Sequence, residues 1–194
     1  MALHDADSQL ISRVRQGNLL ALGVLYDRHK TQVYRVALAI TRDPSAAEDI
    51  LQESFLRLYT TVDRFDETRP LEPWLYRVTV NLSYNWVTRQ GRWLVPLEGA
   101  IERLRAGPGS SPERVVEQNE LQRIVREALN TLKFEHRVVL VLFYLGEFSV
   151  KEVAYILDLP EGTVKSRLHY GRERLRTRLE RDRRVLGGMA YEFS

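Results

Sequence analysis

The stretch 149–179, SVKEVAYILDLPEGTVKSRLHYGRERLRTRL, constrains the fold most. Val150, Val153, Ala154 and Leu157 recur at helical spacing and give a first helix one apolar face. The run DLPEG at 158–162 breaks that period, and Pro160 suits a first helical turn, where its missing N–H has no intrahelical partner. Val164, Leu168, Gly171 and Leu175 then restart a narrow apolar stripe. Opposite it lie Ser166, His169 and Glu173, flanked by Lys165, Tyr170 and Arg172. A short apolar helix, a tight corner and a basic second helix predict a helix-turn-helix whose second helix enters a DNA major groove. Basic helices alone are usually solvated surfaces. Here the charges follow a helix-turn corner and stay off the apolar stripe, which points to DNA contact.

The rest of the chain narrows the fold class. Apolar residues recur at three and four rather than two, and strand signals are almost absent, so an all-α protein is expected. The length of 194 residues allows two small domains with real cores. Net charge is only +3, but the positive charge gathers in the second helix and its continuation to Arg184, as suits a polyanion partner. Without cysteine there is no disulfide, thiolate metal site or cysteine nucleophile. The four histidines (His4, His29, His136, His169) are scattered, so no metal or cofactor is expected. No glycine-rich phosphate loop and no nucleophile–base cluster is present, and an enzyme is not expected. Neither a signal peptide nor an apolar run near the ~20 residues of a membrane span is seen. A cytoplasmic protein with no membrane insertion is the expectation.

Along the chain, 7–17 reads as a short leading helix and 21–41 as a longer one, with Leu22, Leu25, Tyr26, Val33, Val36, Ala37 and Ile40 inward. Asp43-Pro44 supplies an N-cap and a proline for the next helix, which buries Phe55 and Leu58. Its other side shows Asp49, Gln52 and Glu53 together, since i, i+3 and i+4 share a face. After a loop at 60–73, WLYRVTVNLSYNWVTRQGRW gives a further helix. Trp74, Leu75, Val78 and Leu82 carry its apolar period; Arg77, Asn81, Tyr84, Asn85, Thr88, Arg89 and Arg92 lie opposite. Aromatics among arginines can stack on unpaired bases and hold a phosphate backbone. Trp74 reads as core, while Trp86 fits either role.

Residues 95–112 hold the prolines, glycines and serines of a linker, reaching roughly 55–60 Å if extended at ~3.3 Å per residue. Two domains so joined need not touch. A new helix starts at Ser111-Pro112, and VVLVLFYL at 138–145 is too continuous to be amphipathic and should centre a second core. The expected division is 1–94, a linker at 95–112, 113–184 with the helix-turn-helix, and a tail at 185–194 without an assigned role.

Two segments in this order resemble the extracytoplasmic-function (ECF) sigma factors, the smallest specificity subunits of bacterial RNA polymerase. AEDILQESFLRLY with PWLYRVTVNLSYNWVTRQGR is similar to that family's −10-reading domain, and SVKEVAYILDLPEGTVKSRLHYGRERLR to its −35-reading domain. The resemblance implies that Asp49, Gln52 and Glu53, with Phe55 beneath, dock on the β′ clamp helices of core RNA polymerase, with the β flap as second contact. It assigns −10 DNA to Arg77, Asn81, Asn85, Trp86, Arg89 and Arg92, with a flipped-base pocket walled by 65–73. It assigns −35 DNA to Thr163, Lys165, Ser166, Arg167, His169, Arg172 and Arg176, with Ser166, His169 and Glu173 nearest the base edges. An anti-sigma factor is a further implied partner. Lys133, Asn85 and Tyr170-Gly171 depart from the family's usual proline, aspartate and Arg-Ala. These departures bear on promoter sequence, not on class. The competing expectation is a stand-alone helix-turn-helix regulator whose first half senses a ligand or dimerises.

Overall fold

The computed structural model describes residues 2–66, 69–89, 127–129 and 131–181. The linker at 95–112, Arg92 and the tail at 185–194 fall outside them. Among the described residues every regular element is helical. A first bundle contains α1 (Ala2–Arg15), α2 (Leu19–Thr41), α3 (Pro44–Thr61) with a 3-10 turn (Val62–Arg64), and α4 (Leu71–Arg89). A second contains α5 (Phe134–Leu140), continued by a π-type turn (Val141–Leu145), then α6 (Val150–Leu157) and α7 (Glu161–Arg181).

Caps set the boundaries. The Asn18 side chain accepts from the amides of Leu20 and Ala21 at 3.0 and 3.2 Å, so α2 begins two residues before its apolar period does. Asp43 accepts from the Ala46 amide at 2.9 Å, with Pro44 in the first helical position as expected. The loop at 60–73 is shorter than its composition suggests. Helix α3 continues to Thr61, and Pro73 sits in the first turn of α4, where no intrahelical amide bond is lost. Arg15 braces this connection from α1, its Nη2 donating to the carbonyls of Val62 and Phe65 at 3.1 and 2.9 Å.

Leu25, Val33, Val36, Ile40, Leu58 and Leu75 are fully buried in the first core. Helices α3 and α4 approach on small polar residues. Ser54 and Thr79 lie hydroxyl to hydroxyl at 3.3 Å, and each also donates to the carbonyl four residues back. These buried groups are therefore satisfied without spacing the helices apart.

In the second bundle only Val138 to Leu142 of the apolar run 138–145 centre the core; Tyr144 and Leu145, 48% and 38% exposed, lie on the surface, and the last turn is π-wound: the Gly146 amide donates to the Val141 carbonyl at 3.0 Å. A Cβ on Gly146 would stand 2.7 Å from both the Leu142 carbonyl oxygen and the Phe148 ring, so only glycine lets the chain fold back here. A capping box starts α6, with the Ser149 amide donating to Glu152 at 2.8 Å and the Glu152 amide to Ser149 Oγ at 3.3 Å. Asp158 ends it at φ 55°, and the Leu159 amide returns to the Ala154 carbonyl at 3.0 Å.

The Gly171 departure has a steric reason. A Cβ there would lie 2.8 Å from Leu140 Cδ1, so the glycine seats α7 directly on α5. The two bundles, which the sequence allows to stand apart, touch in the structure. Tyr76 meets Phe148 edge-on at 4.8 Å and Tyr84 meets Phe134 at 5.3 Å, and one continuous apolar cluster runs through both halves.

Candidate nucleic-acid interface

Three faces carry the residues singled out in the sequence. On α3, Asp49 and Gln52 are exposed and Glu53 is half-exposed, accepting from Arg57 Nε at 2.9 Å. Phe55 is not on this face: it is buried against Tyr26, ring centroids 5.0 Å apart, and supports the face from below. Two residues missed in the sequence join it. Leu56 and Tyr59 are 55% and 41% exposed and continue the spacing 49, 52, 56, 59. Their signal was available: apolar side chains on the side of the helix that should be polar.

On α4, Arg77, Asn81, Asn85 and Thr88 recur at three and four, and Asn81, Asn85, Thr88 and Arg89 are exposed. Trp86 lies on a different side, half-buried against Ala37, Leu38, Ala47 and Ile50, and so belongs to the packing of α2, α3 and α4 rather than to the outward face. Trp74 is half-buried and meets Phe65 edge-on at 5.7 Å. Arg77 does not project freely. Its Nη2 lies 3.4 Å from Asp158 Oδ2, and its guanidinium sits over the Tyr155 ring at 5.8 Å.

On α7, the apolar stripe Val164, Leu168, Gly171 and Leu175 is buried as expected. Lys165, Ser166, His169, Tyr170 and Glu173 are exposed. Ser166 Oγ donates to the Gly162 carbonyl at 3.0 Å, leaving its lone pairs outward. Thr163 and Arg167 are half-buried. Arg172 is held against its own bundle, stacked on Phe143 and Tyr144 at 5.3 and 5.5 Å with Nε donating to the Tyr144 hydroxyl at 2.8 Å. Arg176 pairs with Glu180 at 2.8 Å. The least encumbered groups are therefore Lys165, Ser166, His169 and Tyr170.

Tyr170, 59% exposed, is flanked by the rings of His136 at 6.3 Å and His169 at 5.5 Å. Burial pushes the His136 imidazole below its usual range; Glu135 opposes this, while Arg174, Lys133 and Arg167 add to it. A neutral His136 thus stands beside Tyr170 at neutral pH.

This arrangement of a helical bundle with an acidic and an aromatic–basic face, followed by a helix-turn-helix, is that of a two-part promoter-specificity subunit. The chain matches the family models described as Sigma-70 region 2 at residues 25–92 and Sigma-70, region 4 at residues 122–175. It is 34% identical to the ECF RNA polymerase sigma factor SigW of Bacillus subtilis, over 87% of this chain and 94% of that one. It is 32% identical to the ECF RNA polymerase sigma-E factor of Haemophilus influenzae, over 93% and 98%. Among solved structures it resembles CnrH in complex with the cytosolic domain of CnrY, with a TM-score of 0.68, 26% identity and coverage of 91% and 99%. The fold is also that of RpoE from Bartonella quintana, in complex with the anti-sigma factor NepR, with a TM-score of 0.62 and coverage of 86% and 96%. The chain belongs to the ECF RNA polymerase sigma factors. It binds core polymerase and directs promoter-specific initiation. No helix among the described residues is long and apolar enough to cross a membrane.

Proposed function

We propose a division of labour among the three faces. Helix α3 docks on the β′ clamp helices through Asp49, Gln52 and Glu53, extended by Leu56 and Tyr59. An acidic rim steers toward a basic partner, and the two exposed apolar groups supply burial on contact. Helix α4 takes the −10 strand: Arg77, Arg89 and Arg92 hold phosphates, while Asn81 and Asn85 offer amides to unstacked bases. Helix α7 takes the −35 duplex, with Ser166, His169 and Tyr170 toward base edges and Lys165, Arg167 and Arg176 toward phosphates. Thr163 and the first amides of α7 suit a further phosphate.

Tyr170 in this role replaces a cation with an aromatic group. That favours apolar contact with a thymine methyl over a bidentate contact with guanine. Arg172, committed to Tyr144, orients α7 on its bundle and is withdrawn from the DNA contacts.

The observation that carries the reading is that the three faces lie on different elements of one chain, so polymerase and both promoter elements can be held at once. As a polymerase subunit the chain works in the cytoplasm, by binding and without chemistry of its own. The structurally similar CnrH and RpoE are seen in complex with the cytosolic domain of CnrY and with the anti-sigma factor NepR, and an anti-sigma factor of this chain is the corresponding partner. The matches to both sigma regions do not favour a stand-alone regulator.

Purified chain added to core polymerase should yield promoter-dependent transcripts whose start sites share −35 and −10 elements. Sequence-specific binding as a free dimer, with no effect on core polymerase, would overturn the reading.

A further inference from the structure

We propose that the cleft beside Tyr76 and Phe148 binds a small organic cation, an alkylguanidinium or alkylamine, between carboxylates of the two bundles.

The cleft has a volume of about 540 Å³, within the range of small-molecule pockets. Asp7 of α1, Arg28 and His29 of α2 and Glu72 of α4 line it from the first bundle, and Glu147 and Glu152 from the second. Negative charge is in excess. Arg28 pairs with Asp7, and Glu152 is committed to the capping box of α6. Neither Glu72 nor Glu147 accepts a hydrogen bond from any of the described residues. Both are exposed, Glu147 on a left-handed turn with φ 58°.

His29 shows the same want of a donor from a buried position. Its side chain is 7% exposed, and Nε2 lies 2.9 Å from Asp7 Oδ2. Against the cost of burial, His29 and Arg28 hold the Asp7 carboxyl below its usual range, so it is ionised and can only accept. The proton of a neutral His29 ring is therefore on Nε2, and Nδ1 is a lone pair. That lone pair has no hydrogen-bond partner among the described residues and stands 3.9 Å from Glu72 Oε1. Two acceptors at this separation leave a place for one donor that enters from the cleft and bonds to both.

The walls select the kind of donor. Among the described residues no three His, Asp or Glu side chains converge to hold a metal ion. The acceptors are spread out instead, and two aromatic rings lie between them, Tyr76 and Phe148, edge-on at 4.8 Å. Spread acceptors around ring surface suit a cation with several N–H groups and an alkyl stem. A guanidinium has five N–H donors and is more weakly hydrated than an ammonium, so it ranks first. With Glu72 and Glu147 open to solvent, the affinity belongs near about 1 mM and falls with salt.

The test uses the full chain at low salt and about pH 8, where an ordinary imidazole is neutral. Agmatine is the probe, and sodium chloride at matched ionic strength is the control. Agmatine should raise the midpoint of circular-dichroism melting, with half-saturation at about 1 mM, and the salt should not. In isotope-labelled wild-type chain the His29 Nδ1 resonance should move with agmatine, while those of His136 and His169, outside the cleft, stay in place. Glu72→Gln with Glu147→Gln keeps the side-chain shapes and removes both unpaired charges. Half-saturation should then rise about tenfold, as for loss of two exposed ion pairs.

Equal stabilisation by salt and by agmatine would overturn the site, and so would an unmoved His29 resonance. Unchanged half-saturation in the double variant would overturn it too, because the cation would then lie elsewhere. The resonance is read on the wild type, so the test does not depend on how the variant folds. None of these readouts involves polymerase or DNA, and a failure of the transcription assay would strike the proposed function separately.

Discussion

At the scale of single residues, the position least expected from the sequence is Gly171. A glycine in a helix interior costs about 1 kcal/mol against alanine. The structure supplies the opposing term: a Cβ would press into Leu140, itself 2% exposed, from 2.8 Å at Cδ1 and 3.1 Å at Cγ. Overpacking a closed core costs about 1–3 kcal/mol, more than the helical gain. Gly171→Ala should therefore lower stability by about 1 kcal/mol in urea unfolding. The double variant Gly171→Ala with Leu140→Val should recover part of it; a stabilised single variant would refute the contact. Phe55 and Trp86 teach a related lesson. Both are aromatic and lie near functional faces in sequence, yet one is buried and the other packs half-buried among α2, α3 and α4. An aromatic identity reports area to be covered, and only the neighbouring elements decide whether protein or a partner covers it.

Among the elements, α1 is tied to α2 by charge as well as by Ile11 and Val14. Asp7, 4% exposed, lies 2.9 Å from His29 Nε2 and also pairs with Arg28. Burial alone would raise the Asp7 carboxyl. The hydrogen bond and charge of His29, followed by those of Arg28, outweigh it and hold the carboxyl below its usual range. A lowered carboxylate contributes stability that is fully present above its unfolded value, near 3.9, and is lost as pH falls through the folded one. Asp7→Asn should thus cost about 2 kcal/mol at pH 7 and progressively less below about pH 4, measured by urea unfolding at both pH values. A difference that grew toward acid would contradict the assignment. Helix α3 offers a second case. Gln52→Ala with Leu56→Ala removes only exposed surface, so stability should change by less than about 0.5 kcal/mol. Binding to core polymerase should weaken about tenfold if both lie in the interface. Equal affinity in a labelled-sigma competition assay would exclude the face. The helices themselves were largely legible, because their caps are local: Asp43-Pro44 and Ser149 with Glu152 work within one turn. The π-wound end of the 138–145 run was not, since the close folding of Gly146 onto Phe148 is decided across the core.

The molecule as a whole departs most from what sequence could say. Periodicity shows which side of a helix is apolar but not which of two nearby cores covers its edge. On α4 that edge is Tyr76 and Tyr84, and the second bundle covers it with Phe148 and Phe134. Those contacts make the two bundles thermodynamic neighbours, and the location of the tryptophans makes this measurable. Trp74 and Trp86 both lie on α4, so their fluorescence reports the first bundle, while far-ultraviolet circular dichroism reports helices in both. With the apolar cluster continuous across the boundary, the two probes should give coincident denaturant transitions. Phe148→Ala removes a ring that faces both Tyr76 and the core of its own bundle, at a cost of about 3 kcal/mol or more. The second bundle should then unfold first, and the dichroism transition should begin at lower denaturant than the fluorescence one. Coincident transitions in this variant would mean that coupling runs elsewhere than through Tyr76 and Phe148. Separate transitions in the wild type would mean that the bundles, though in contact, unfold as independent units.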